Sequence, residues 1–187
     1  MARVGLDKTK IIQTAVEIVD NEGVEAVTLA AIARKLSVKP PSLFNHIDGL
    51  PSIKRELSLF GLNILFEKLS IATANKKKDI AILAMAKAYK EFSQEHPGLY
   101  ELTIHAPEKS DHELNIVSSK IIELIMKVLQ DYNLEEDKMI HTIRGLRSIL
   151  HGFASLEQKG AFGIPISIEE SFEFMINSFI SVLKQRS

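Results

Sequence analysis

Apolar side chains recur every three or four positions along most of the chain, and no stretch alternates apolar with polar for long. That spacing predicts helices throughout. Ile11, Ile12, Ala15, Val16, Ile18 and Val19 stripe a first helix, with Asp7 placed to cap its start and Gly23 to stop it in a left-handed conformation. Leu29, Ile32, Ala33 and Leu36 stripe a short second helix. It opens on Thr28, whose hydroxyl can accept from a free N–H of the first turn. Ala30, Ala31 and Ala33 are small enough to let another helix come close. Ser37-Val38 reads as a tight turn, and Pro40-Pro41 suits the first turn of a third helix, where a missing N–H costs nothing. On that helix Leu43 and Ile47 face inward, leaving Ser42, Asn45 and His46 outside.

Asp48-Gly49 marks a turn and Pro51 opens a fourth helix. It runs through Leu57, Leu59, Phe60, Leu62, Ile64, Leu65, Phe66 and Leu69, apolar on more than one face, so it is expected to be buried and to link two parts of the chain. The charge run Ala74–Lys78 breaks it. A helix follows over 79–92, His96-Pro97-Gly98 stops it, and 99–104 is a short helix before a polar loop at 106–111. Further helices are expected at about 112–131, 135–158 and 168–185. The fold class is therefore all-α with about nine helices. A three-helix domain with a helix-turn-helix occupies 1–57, and a larger helical domain occupies 58–187.

Two of the late helices carry long apolar stripes: Ile140, Ile143, Leu146, Ile149, Leu150, Phe153 and Leu156, then Phe172, Met175, Ile176, Phe179, Ile180 and Leu183. Gly145 and Gly152 permit close approach. Two such helices from each of two chains would build a four-helix interface, with ridges of one fitting grooves of the next. Completing a monomer core is the other use for them.

Composition narrows the classes. With 187 residues, 45% hydrophobic and 25% charged, the chain can bury a sizeable core. Cysteine is absent, which removes disulfides, thiolate nucleophiles and cysteine zinc sites and fits a reducing cytoplasm. No apolar run nears the roughly 18 residues that span a bilayer, and the N-terminus lacks a signal core. The expected location is cytoplasmic, without membrane contact. Net charge is −1, split as 8 basic against 7 acidic residues in 1–60 and 15 against 17 in the remainder. Affinity for nucleic acid must then come from where charge sits: Arg3, Lys8, Lys10, Lys39, Lys54 and Arg55. Few phosphate contacts imply a shallow salt dependence, about −0.9 in the log–log slope per phosphate neutralised. Residues 1–6 read as a basic arm of the kind that can enter a minor groove or stay frayed.

A helix, a three- or four-residue turn and a second helix make a unit whose second helix fits the DNA major groove. Here the sequence resembles a known family. Ile11, Ala15, Ile18, Val19, Gly23, Thr28, Ile32, Ala33, Val38, Leu43, Phe44, His46 and Ile47 match, without gaps, the DNA-binding domain of tetracycline-repressor (TetR) family regulators. Four positions depart from the family pattern. Ser37 stands where Gly is usual, Lys39 where Ser or Thr caps the recognition helix, Phe44 where Tyr donates to a phosphate, and Leu50 where a Lys is frequent. His96–Leu102, Arg147–Glu157 and Gly160-Ala-Phe-Gly163 are similar to one subgroup of the family's C-terminal domains. The resemblance implies a homodimer joined by the last two helices, with Ile143, Leu146, Leu150, Phe153, Phe172 and Phe179 at the contact. It implies a ligand-released repressor on a pseudo-palindromic double-stranded DNA operator. Lys39, Pro40, Pro41, Ser42 and Asn45 would meet the major groove, Thr28, His46 and Lys54 would meet phosphates, and Phe44 would stand at the DNA without the hydroxyl of the usual Tyr.

A sensor needs a cavity. Phe66, Met85, Tyr89, Phe92, Tyr100 and Leu124 are apolar groups able to line one, and Arg144 and Arg147, three apart on one helix face, could hold a carboxylate. Plain core packing and salt bridges compete with those roles. The implied effector is small and apolar or amphipathic. No phosphate loop, metal-binding His-Glu-x-x-His or Gly-x-Ser-x-Gly occurs, and His105 and His112 are separated by a loop, so neither metal, cofactor nor catalytic residue is expected. A small helical enzyme or ligand carrier retaining a helix-turn-helix shape is the rival class.

Overall fold

A computed structural model of the chain describes residues 5–185, and these contain eight α-helices, three short 3-10 helices and no strand. They divide into two compact units. The first runs to Asn63 and takes in His96–Asn115; the second holds Ile64–Glu95 and the chain from Ile116 onward. Arg3 and most of the expected basic arm lie outside the described residues.

In the first unit, α1 (Lys8–Glu22) starts where the Asp7 carboxylate accepts from the Lys10 N–H at 2.8 Å. It ends at Gly23, whose φ of 88° few other residues adopt. Ile11, Ile12, Ala15, Ile18 and Val19 are buried, as their spacing predicts. A 3-10 turn, Val24–Ala26, leads to α2 (Leu29–Lys35), whose Thr28 Oγ1 accepts from the Ala31 N–H at 3.1 Å. Ile32 and Ala33 anchor α2 against α1. α3 (Leu50–Thr73) begins after Gly49 and contributes residues to both units. α5 (Pro97–Thr103) belongs to the first unit and packs on α1. A Cβ on Gly98 would lie 2.0 Å from the Val19 carbonyl oxygen, so only glycine permits this approach. Asp20 then fixes the start of α5, accepting from the Leu99 N–H at 3.0 Å and meeting His96 Nδ1 at 2.7 Å.

In the second unit, α4 (Lys78–Glu95) packs against α7 (Glu136–Gln158) and α8 (Ile168–Lys184). α6 (His112–Leu129), which belongs to this unit from Ile116 onward, precedes a 3-10 turn at Gln130–Tyr132. Met85, Phe92, Leu146, Leu150, Phe172 and Ile176 form the interior. Lys90, only 8% exposed, is held inside it. Its Nζ lies 2.6 Å from Glu169 and 3.5 Å from Glu157, and it sits over the rings of Phe172 and Phe153 at 5.1 and 5.8 Å. Phe153 also meets Phe162 and Phe172 with centroids 4.9 and 5.0 Å apart. Lys90 holds the Glu169 carboxyl below its ordinary range. Lys184 pairs with Asp79, and Tyr132 Oη donates to the same carboxylate at 2.6 Å. Lys184 first and Tyr132 second depress the Asp79 pKa, while burial, then Asp79, pushes the Tyr132 phenol up.

Candidate nucleic-acid interface

The segment after α2 is built to be held from one side. Ser37 takes a left-handed φ of 56°, the conformation for which glycine is favoured. The turn closes as the Val38 N–H donates to the Ala33 carbonyl at 2.9 Å. Lys39 is extended, and Pro40–Asn45 form a 3-10 helix rather than an α-turn. The physical reason is local: two successive prolines supply no N–H, and the Ser42 and His46 N–H groups reach back three residues, to Lys39 and Leu43, at 2.9 Å each. Leu43 is fully buried and Ile47 nearly so, which fixes the segment on the unit.

The opposite side is presented to solvent. Lys39, Pro40, Pro41, Phe44, Asn45 and His46 are exposed, and Ser42 is half-buried. Phe44 is 58% exposed, the more open of the two exposed phenylalanines, Phe44 and Phe60, among the described residues of this unit. Thr28 is exposed, but its hydroxyl already serves the α2 cap. Lys54 is half-buried near the start of α3. Its neighbour Arg55 is committed elsewhere: Nε and Nη2 donate to Asp111 at 2.5 and 2.7 Å, and Nη2 reaches Glu113 at 2.7 Å. This fork ties α3 to the start of α6, raising the Arg55 pKa still further and depressing that of Asp111. Lys8 pairs with Glu56 and Lys35 with Glu17, so Lys39 and Lys54 are the cations of the predicted set that make no ion pair among the described residues, together with Lys10. The sequence reading placed Arg55 among the available charges; its partner lies 56 positions away and no local pattern announces it.

The residues expected to line a cavity fall in both units. Met85 and Phe92 are buried on α4, Phe66 and Tyr89 are half-buried, and Tyr100 is buried in the first unit. Arg144 and Arg147 are exposed on α7. Leu124 lines a cleft described below. Of the residues assigned to a subunit contact, Ile143, Leu146, Leu150, Phe153 and Phe172 are buried within the single chain, between 1% and 9% exposed, and Phe179 is half-buried against Gly145. They hold α7 and α8 in place from inside. The exposed apolar groups of those two helices are Leu156, Phe174 (76% exposed) and Val182, which the periodicity did not single out except for Leu156. Among the described residues no three His, Asp or Glu side chains gather as for a metal ion, and no helix is long and apolar enough to cross a membrane.

Comparison with known proteins bears on this arrangement. Residues 82–179 match the family described as "Tetracyclin repressor-like, C-terminal domain". Over 185 residues, 97% of this chain and 94% of the relative, the sequence is 43% identical to the HTH-type transcriptional regulator YobS of Bacillus subtilis (strain 168). The fold resembles that of SCO7222, a TetR from Streptomyces coelicolor, with TM-score 0.73, 17% identity and 96% and 98% of the two chains covered. It also resembles a TetR variant from Acinetobacter baumannii AYE in complex with minocycline, with TM-score 0.72, 17% identity and 97% and 98% covered.

Proposed function

The chain belongs to the tetracycline-repressor (TetR) family of transcription regulators, and on that premise we propose that it is a ligand-released repressor that binds a pseudo-palindromic operator as a homodimer in the cytoplasm. The observation that carries the reading is the two-sidedness of residues 39–47, with Leu43 and Ile47 buried and Lys39, Pro40, Pro41, Phe44, Asn45 and His46 held outward by them. Outward side chains on a short, internally anchored helix are what base edges in a major groove require. Asn45 can donate to and accept from a base edge, Lys39 and Lys54 neutralise phosphate, and Phe44 offers an apolar ring to a thymine methyl group.

Two copies joined through α7 and α8 would set two such segments at half-sites about 34–36 Å apart or a multiple of that. The buried residues of those helices keep them rigid, and Phe174, Leu156 and Val182 supply apolar surface outside. An effector acts by favouring a conformation of lower operator affinity, and the coupling is reciprocal: it weakens DNA binding by the factor by which DNA weakens effector binding. The solved TetR variant that holds minocycline supports effector binding by this fold.

Retardation of DNA from the region upstream of the protein's own gene, titrated against salt, tests the proposal. The expected result is a specific complex that Lys39→Ala weakens at least tenfold. Equal affinity of the Lys39→Ala protein, or the absence of any specific complex, overturns it.

A further inference from the structure

A cleft of about 670 Å³ opens in the second unit between the end of α3, the loop after it and the last turns of α6. This volume lies within the range of small-molecule sites, about 300–1,000 Å³. Leu124, Val128 and Ala74 give it an apolar wall. Its charge is unbalanced: Lys76, Lys77 and Lys127 line it against one carboxylate, Asp131. Elsewhere in the unit Lys68, Lys87, Lys90, Lys138 and Lys184 have carboxylate partners, whereas Lys78, Lys120 and Lys159 stand apart from one another in sequence and outside the cleft. Among the described residues none of the three cleft lysines makes an ion pair.

The three do not act alike. Lys76 Nζ donates to the Ala72 carbonyl at 2.7 Å, closing the end of α3, which is a structural use. Lys77 and Lys127 have no such bond. Lysines that line one concave, partly apolar site with a single carboxylate give it a positive potential that favours an anion. We infer that this cleft is the effector site and that its ligand is an organic anion, a carboxylate or sulfonate head on a small apolar body. The assignment as an effector site rests on the regulator reading; the preference for an anion does not. Arg144 and Arg147, for which sequence spacing offered either a ligand carboxylate or a salt bridge, do not line the cleft.

The test compares two probes of similar ring system, 1-anilinonaphthalene-8-sulfonate and the uncharged N-phenyl-1-naphthylamine. Each is titrated by fluorescence into the full chain, the double variant Lys77→Gln/Lys127→Gln, and Lys76→Gln. The expected result is at least tenfold preference of the parent for the sulfonate, lost in the double variant at unchanged Tm. Lys76→Gln should lower Tm and keep the preference. A parent without preference, or a double variant that retains it, overturns the anion site; so does a double variant that merely melts earlier, which would make these lysines helix-end charges. DNA retardation run in parallel separates the two readings. Release of DNA by the sulfonate from the parent and not from the double variant supports the effector role, and a bound sulfonate that leaves retardation unchanged removes it. Failure to bind any DNA removes the regulator reading while the probe preference stands.

Discussion

Ser37 shows how one residue can carry a turn at a cost. A left-handed backbone disfavours any side chain by about 1–2 kcal/mol, while glycine loses about 0.5–1 kcal/mol more chain entropy on folding. The first effect is the larger, so Ser37→Gly is expected to stabilise the protein by about 0.5–1 kcal/mol, read from the urea midpoint; a lower midpoint would show that the serine is favoured there. Phe44 makes a second test at this scale. If its exposed ring meets a thymine methyl, replacing operator thymines one at a time by deoxyuridine should weaken the parent at one position or more and leave Phe44→Ala indifferent there. Identical uracil profiles for the two proteins would remove Phe44 from base reading. Thr28 and Asp7 were legible as caps because a cap acts on the next three residues. The turn at Ser37-Val38 was legible too, but not its left-handed backbone, because serine itself carries no signal for that conformation.

At the level of helices, the 3.6-residue period located nearly every element, since each has one face against its neighbours. The period says nothing about which helices meet. Gly98 reads locally as part of a helix stop, yet its larger role is to let α5 touch the α1 backbone. Lys90 carries no local mark of burial, and the carboxylate that pairs with it there, Glu169, lies 79 positions further on. That contact also gives physical content to the similarity of Arg147–Glu157 and Gly160–Gly163 to a family subgroup: Glu157 pairs with Lys90, and the Phe162 ring packs at a tilt on Phe153. Removing one partner of a buried ion pair costs about 3–5 kcal/mol. Glu169 is half exposed and can return to water, so Lys90→Ala is expected to cost about 2–3 kcal/mol by chemical denaturation. A cost under 0.5 kcal/mol would show that the aromatic rings, not the charge cluster, hold α4 to α7 and α8. The candidate reading surface was legible because inward and outward positions alternate within eight residues. The basic cleft was not, since its wall combines residues around 70–77 with others around 124–131.

For the molecule as a whole, both units place depressed carboxylates in ion pairs, Asp111 in the first and Asp79 and Glu169 in the second. Each has a folded pKa below its unfolded value, so the stability it contributes is present above the ordinary carboxylate range of about 4 and is lost as pH falls through the folded pKa. Thermal melts should therefore hold steady from neutral pH to about 5 and fall steeply below about 4. A melting temperature that stayed level to pH 3 would mean the pairs contribute nothing net. Ile164, Ile166 and Phe174 add a further consequence, being 74%, 66% and 76% exposed in a single chain. If the proposed contact between two copies covers these side chains, water meets them only when the protein is dilute, and mass action couples stability to concentration. Heat resistance should accordingly rise with the amount of protein in the cuvette, and dilution alone should soften it.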